Sequence, residues 1–86
     1  LKAFNTTFAA TLATKKVGDN TTTVLIAGDD ADAKATLAAA ITAGGVNAID
    51  AGALTRAHEL EALGFLQLTL AVSEKIGWTG GFALVK

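Results

Sequence analysis

The sequence predicts an α/β fold in which three parallel strands alternate with three helices, the last helix being the longest. Three observations carry this. Strand-type and helix-type segments alternate in the order β-α-β-α-β-α, which a parallel sheet with right-handed crossovers requires. Thr22-Thr23-Val24-Leu25-Ile26 is β-branched or apolar throughout, without strict alternation, the pattern of a strand buried on both faces. An alanine-rich stretch follows it and ends at Gly44-Gly45, a helix with its own stop signal.

The elements follow in order. Residues 1–4 are a short strand, apolar apart from Lys2, that runs into the polar turn Asn5-Thr6-Thr7. Phe8, Ala9, Ala10, Leu12 and Ala13 have helical spacing, with Thr6 or Thr7 as the N-cap. Lys15, Lys16, Gly18, Asp19 and Asn20 form the loop that ends this helix. Residues 21–27 are the central strand, closed by Gly28-Asp29-Asp30. Residues 31–43 are the second helix, capped by Asp29 or Asp30, and Asp32 adds negative charge to its first turn. Residues 46–50 are the third strand, and the long helix covers residues 55–76. Its middle is apolar on nearly every side, so one sheet layer cannot cover it, and a partner subunit or a further domain half is expected there. Gly77-Trp78-Thr79-Gly80-Gly81 is a loop, and residues 82–85 are a final strand or an extended tail.

Composition narrows the function classes. At 86 residues the chain holds one small domain. Half of it is apolar (51%) and 17% is charged, so it is a globular sequence. A net charge of −1 with no basic stripe gives no nucleic-acid footprint. Cysteine is absent, which rules out disulfides and thiolate metal sites and suits a reducing compartment; a cytoplasmic location is expected. The most apolar stretch, residues 62–72, is about half the length of a membrane-spanning helix.

Four short segments carry a resemblance. They are Lys2-Ala3-Phe4-Asn5-Thr6 with Phe8-Ala9, Ala27-Gly28-Asp29-Asp30, Asp50-Ala51-Gly52-Ala53-Leu54, and Leu60-Glu61-Ala62-Leu63. In this order and spacing they resemble the carboxyl-terminal half of the NADP-dependent oxidoreductases related to the deazaflavin-coenzyme (coenzyme F-four-twenty) reductases. The resemblance implies a three-stranded parallel half of a Rossmann-like doubly wound sheet plus a long C-terminal helix. Residues 1–54 would be the second half of a dinucleotide-binding-type unit. Residues 55–86 would be the helix and Gly-Trp tail used for packing and dimerisation. The half that binds the cofactor phosphates would lie upstream of Leu1, since no strand here enters a helix through a Gly-rich turn.

The implied function is hydride transfer between a nicotinamide cofactor, NADP, and a small or flavin-like substrate. The implied cofactor contacts are Asn5, Thr6, Thr7, Phe8 and Ala9. Family members carry His-Thr and a following Pro where this chain has Asn5-Thr6 and Phe8, which favours an NADP-linked oxidoreductase with another hydride partner. Trp78, between glycines, is read as a substrate-side lid with Gly80 and Gly81, or else as an anchor for the tail. No residue stands out as a general acid or base, and no ligand spacing suggests a metal. His58 reads as a partly exposed helix residue, and Arg56 as the surface partner of Glu59 three residues on. The expected partners are the nicotinamide cofactor, a small-molecule substrate and a second copy of the chain; neither nucleic acid nor membrane is expected. The alternative is a non-catalytic dimerisation or assembly module.

Overall fold

The computed structural model describes residues 1–4 and 6–84, with the side chain of Ala9 outside the description. Among the described residues the chain is an α/β fold of three α-helices and two small sheets. Its elements are α1 (Ala9–Thr14), β1 (Lys16–Val17), β2 (Asn20–Thr21), β3 (Thr23–Ala27), α2 (Ala31–Ala43), β4 (Asn47–Gly52), a 3₁₀ turn (Leu54–Arg56) and α3 (Ala57–Val72).

β3 and β4 are parallel, and α2 is the crossover between them, as the sequence predicts. The strand is not buried on both faces as expected: Val24, Ile26 and Ala27 have no exposed surface, whereas Thr23 and Leu25, on the other face, are half-buried. Leu37, Ala38 and Ile41 of α2, with Leu12 of α1, close over Val24 and Ile26. Asp30 caps α2, its carboxylate accepting from the Ala33 N–H at 3.0 Å.

The expected third parallel strand is not formed among the described residues. Residues 1–3 meet the free edge of β3 through one antiparallel bridge, Lys2 to Ala27, with N–H to carbonyl distances of 2.8 and 2.9 Å. An antiparallel approach sends the chain back along β3. Thr6 therefore lines a space with Thr23 and Leu25, towards the amino end of the strand. The predicted polar loop at residues 15–20 is instead a small hairpin, β1–β2, turned at Gly18-Asp19. It brings Thr22, which is fully buried, under α1: the Thr22 hydroxyl donates to the Thr11 carbonyl at 2.6 Å.

α1 starts without the expected threonine cap. Phe8 is its N-cap residue, and the Thr7 hydroxyl donates to the Phe4 carbonyl at 3.0 Å. α3 is shorter than the predicted 55–76. It ends at Val72, with Glu74 in the left-handed region at φ 63°. The Glu74 N–H donates to the Ala71 carbonyl (3.1 Å) and the Lys75 N–H to the Leu70 carbonyl (2.8 Å), the paired bonds of a Schellman ending. Residues 82–84 form no strand. Among the described residues no helix is long and apolar enough to cross a membrane.

Glu74 holds a position that glycine fills at least cost. Glu74→Gly is expected to raise stability by about 0.5–1 kcal/mol, read as a higher urea midpoint with an unchanged slope.

Candidate functional site

Two polar constellations lie at opposite ends of β3. The first sits at the carboxyl ends of the parallel pair. Ile26 is in register with Asp50 and Ala27 with Gly52, so Ala51 is an extra residue that bulges β4. Gly52 has φ 114°, a conformation that side-chain-bearing residues rarely adopt. The bulge turns the Gly52 N–H onto the Asp50 carboxylate at 2.8 Å. The Lys34 ammonium, on a nearly buried side chain, donates to the same carboxylate oxygen at 3.0 Å and to the Gly52 carbonyl at 3.2 Å. The Gly28 N–H donates to the Gly52 carbonyl at 3.0 Å. Asp29 accepts from the Leu54 N–H at 3.0 Å, which ties the turn after β3 to the turn after β4.

This edge has the topology of a phosphate cradle, a strand running through a glycine into a helix N-terminus. Its electrostatics are those of the opposite case. Asp29, Asp30 and Asp32 crowd the start of α2, and the Ala33 N–H is already taken by Asp30. The carboxylates fill the place an anionic ligand would need. The edge is a structural knot.

The second constellation is the polar turn and the tail. Gln67, on α3, is 2% exposed and uses both ends of its amide. Its Nε2 donates to the Thr6 carbonyl at 3.0 Å, and its Oε1 accepts from the Phe82 N–H at 3.0 Å. The Phe8 and Trp78 rings meet with centroids 5.1 Å apart at a tilt of 52°. This lies within the range of favourable aromatic pairs. Gly81 passes so close to Gln67 that a Cβ there would stand 2.7 Å from Oε1. Beneath lies an apolar cavity of about 90 Å³, lined by Thr6, Thr23, Leu25, Leu63 and residues 82–84.

Of the residues implied as cofactor contacts, Thr6 lines the cavity with residues 82–84, and Phe8 packs on Trp78, which the sequence reads as a lid. Thr7 turns away, onto the Phe4 carbonyl. Ala9 opens α1, and Asn5 lies outside the described residues. Trp78 packs on Phe8 with about half its surface exposed, and Gly80 closes a tight turn onto the Gly77 carbonyl at 3.0 Å. Arg56 pairs with Glu59 at 2.9 Å, as the spacing predicts. The Glu59 N–H and Arg56 hold the Glu59 carboxyl below its usual range.

Sequence reasoning missed Gln67 and Lys34. Each had a signal. Gln67 is the one amide in the apolar run 62–72 and shares a face with Leu60 and Ala71, both buried. Lys34 shares the buried face of α2 with Leu37, Ala38 and Ile41.

Compared with known proteins, the chain matches no family model and no curated protein.

The Lys34 ammonium and the Gly52 N–H hold the Asp50 carboxyl below its usual range. A lowered folded-state pKa gives stability that is present above the unfolded value of about 3.9 and lost as pH falls through the folded one. Asp50→Asn is therefore expected to melt below the parent at pH 7. The gap should narrow as pH falls below about 4, followed by thermal melts across pH.

Proposed function

We propose that the chain is the carboxyl-terminal portion of an NAD(P)-dependent oxidoreductase, which moves hydride between a nicotinamide cofactor and a small or flavin-like substrate. One observation carries the reading: the four segments that carry the family resemblance, scattered between residues 2 and 63, meet in space. Lys2 bridges to Ala27, and its ammonium pairs with Glu61 at 3.4 Å. Gly28 bonds Gly52, and Asp29 bonds Leu54. Short sequence matches that converge on one bonded unit are what a shared architecture produces.

The Rossmann-like reading adds to this. The β3-α2-β4 crossover would be one arm of a doubly wound sheet, extended by strands from upstream of Leu1. The acidic start of α2 agrees with cofactor phosphates bound in that upstream half. Asn5, Thr6, Thr7, Phe8 and Ala9 are the proposed nicotinamide contacts, with Trp78, Gly80 and Gly81 on the substrate side, although Thr6 lies towards the amino end of β3 and doubly wound sheets bind ligands beyond the carboxyl ends. In such enzymes the cofactor carries the hydride and the protein supplies position and a dry, shaped surface.

A second reading, a dimerisation or assembly module, is favoured by the outer face of α3. Phe65 and Val72 are each 68% exposed, and Leu68 lies between them at helical spacing. An apolar stripe of this kind marks an interaction surface. In either reading a second copy of the chain is the proposed occupant.

One pair of measurements separates the readings. In the protein extended upstream of Leu1, NADPH titration followed by nicotinamide fluorescence is expected to saturate, and light scattering is expected to give a dimer. Dimerisation with no binding of NADPH or NADH would leave the assembly module. A monomer that binds NADPH would remove the α3 interface and keep the oxidoreductase.

A further inference from the structure

We propose that residues 77–84 form a latch over the sheet face, and that Gln67 is the positioning residue that couples this latch to the Thr6–Phe8 turn. The inference deepens the oxidoreductase reading, since it rests on that turn facing the nicotinamide side.

The latch has few attachments, and each is defined. The tail, residues 77–84, has no regular secondary structure. Its described contacts with the rest of the chain are the Phe82 N–H to Gln67, the Trp78 ring on Phe8, and the side chains that line the small cavity. Phe82, Leu84 and Trp78 all keep about half their surface exposed, so the tail adheres without being buried. Gly77, Gly80 and Gly81 supply chain freedom at three of its positions.

Gln67 makes the device specific. One side-chain amide serves Thr6 on one side and Phe82 on the other. A buried amide with one end unpaired carries a desolvation cost. The turn and the tail are therefore favoured together, and release of one weakens the hold on the other. The cavity beneath explains what the latch controls. At about 90 Å³ it is smaller than the roughly 150 Å³ that accommodates benzene in an engineered core. A flat ring enters only when Phe82 and Leu84 lift away, and the wall it then meets is Thr6, Thr23, Leu25 and Leu63.

Trp78 is the chain's single tryptophan, so its accessibility to acrylamide reads the latch directly. The decisive variant is Gln67→Glu in the 86-residue chain without cofactor, which keeps this test independent of NADPH binding. An ionised carboxylate at this site accepts from Phe82 but repels the Thr6 carbonyl. A protonated one reproduces both bonds. Burial raises the pKa of the introduced carboxyl above the usual value of about 4.3, so the latch is held at low pH and lost as pH rises through the raised value. The expected result is Trp78 quenching that matches the parent at low pH and exceeds it at neutral pH, with the parent constant over the same range. Quenching that stays equal to the parent at every pH would overturn the proposal.

Gly81→Ala supplies a second arm that leaves the helix and sheet untouched. Its Cβ would press on the Gln67 carbonyl oxygen, so Trp78 quenching should rise while the β3 amides keep their hydrogen-exchange protection. Unchanged quenching in this variant counts against the latch, even if Gln67→Glu fails to fold at neutral pH.

Discussion

The burial of Val24, Ile26 and Ala27 in β3 is the constraint on which the rest of the chain depends. Val24, Ile26 and Ala27 are fully enclosed, and no single neighbour could enclose them. α1 and α2 cover one face of the strand, and Leu63 with residues 82–84 lines the other. β4 takes one edge through five registered pairs, and Lys2 takes the other. In a chain this small each of these must be present, because the buried area available per residue is low. Backbone groups at the two ends of the strand then need partners of their own. The Asp50–Lys34–Gly52 knot serves the carboxyl end. At the amino end the Thr22 hydroxyl satisfies the α1 backbone, and the Gln67 amide satisfies Thr6.

This arrangement separates two jobs that adjoin in a simple parallel sheet. The antiparallel return of residues 1–4 is followed by Thr6 and Thr7 away from the carboxyl ends of β3 and β4. Those ends are left to structural bonding among Asp29, Asp50 and Gly52. The turn is left beside α3 and the tail, where its neighbours are aromatic rings and an amide. Local charge follows the same division: carboxylates crowd the α2 start, and the tail side holds uncharged groups.

Much of the fold was legible in the residues. The Thr22–Ile26 run signalled a strand, but its second face, Thr23 and Leu25, is only half-buried, less than the run predicts. The Asp30 cap and Gly44 stop bounded α2 at Ala31–Ala43. The direction of residues 1–4 was not legible, since a short apolar segment pairs either way and only the tertiary edge decides. The hairpin at residues 16–21 was hidden because its strands are two residues each and polar. The end of α3 was misplaced because Glu74 adopts the left-handed conformation usually signalled by glycine. Of the candidate site, Phe8 and Trp78, which the sequence assigns to the cofactor side and the lid, pack on each other, while Thr7 turns away. The residue that joins them, Gln67, was obscured by the apolar run around it.

The outer face of α3 follows from the same constraint. Once Leu60, Gln67 and Ala71 face inward, Phe65, Leu68 and Val72 must face out. The helix thus holds the Thr6 turn and the tail with one stripe and presents another. If β3 organises the chain, its stability is graded outward from that strand. Residue-resolved native-state hydrogen exchange tests this most directly. The account predicts that the amides of residues 24–27 exchange only through global unfolding, and that the Phe82 amide exchanges through a far cheaper local opening. Protection of α3 or the tail equal to or greater than that of β3 would contradict it.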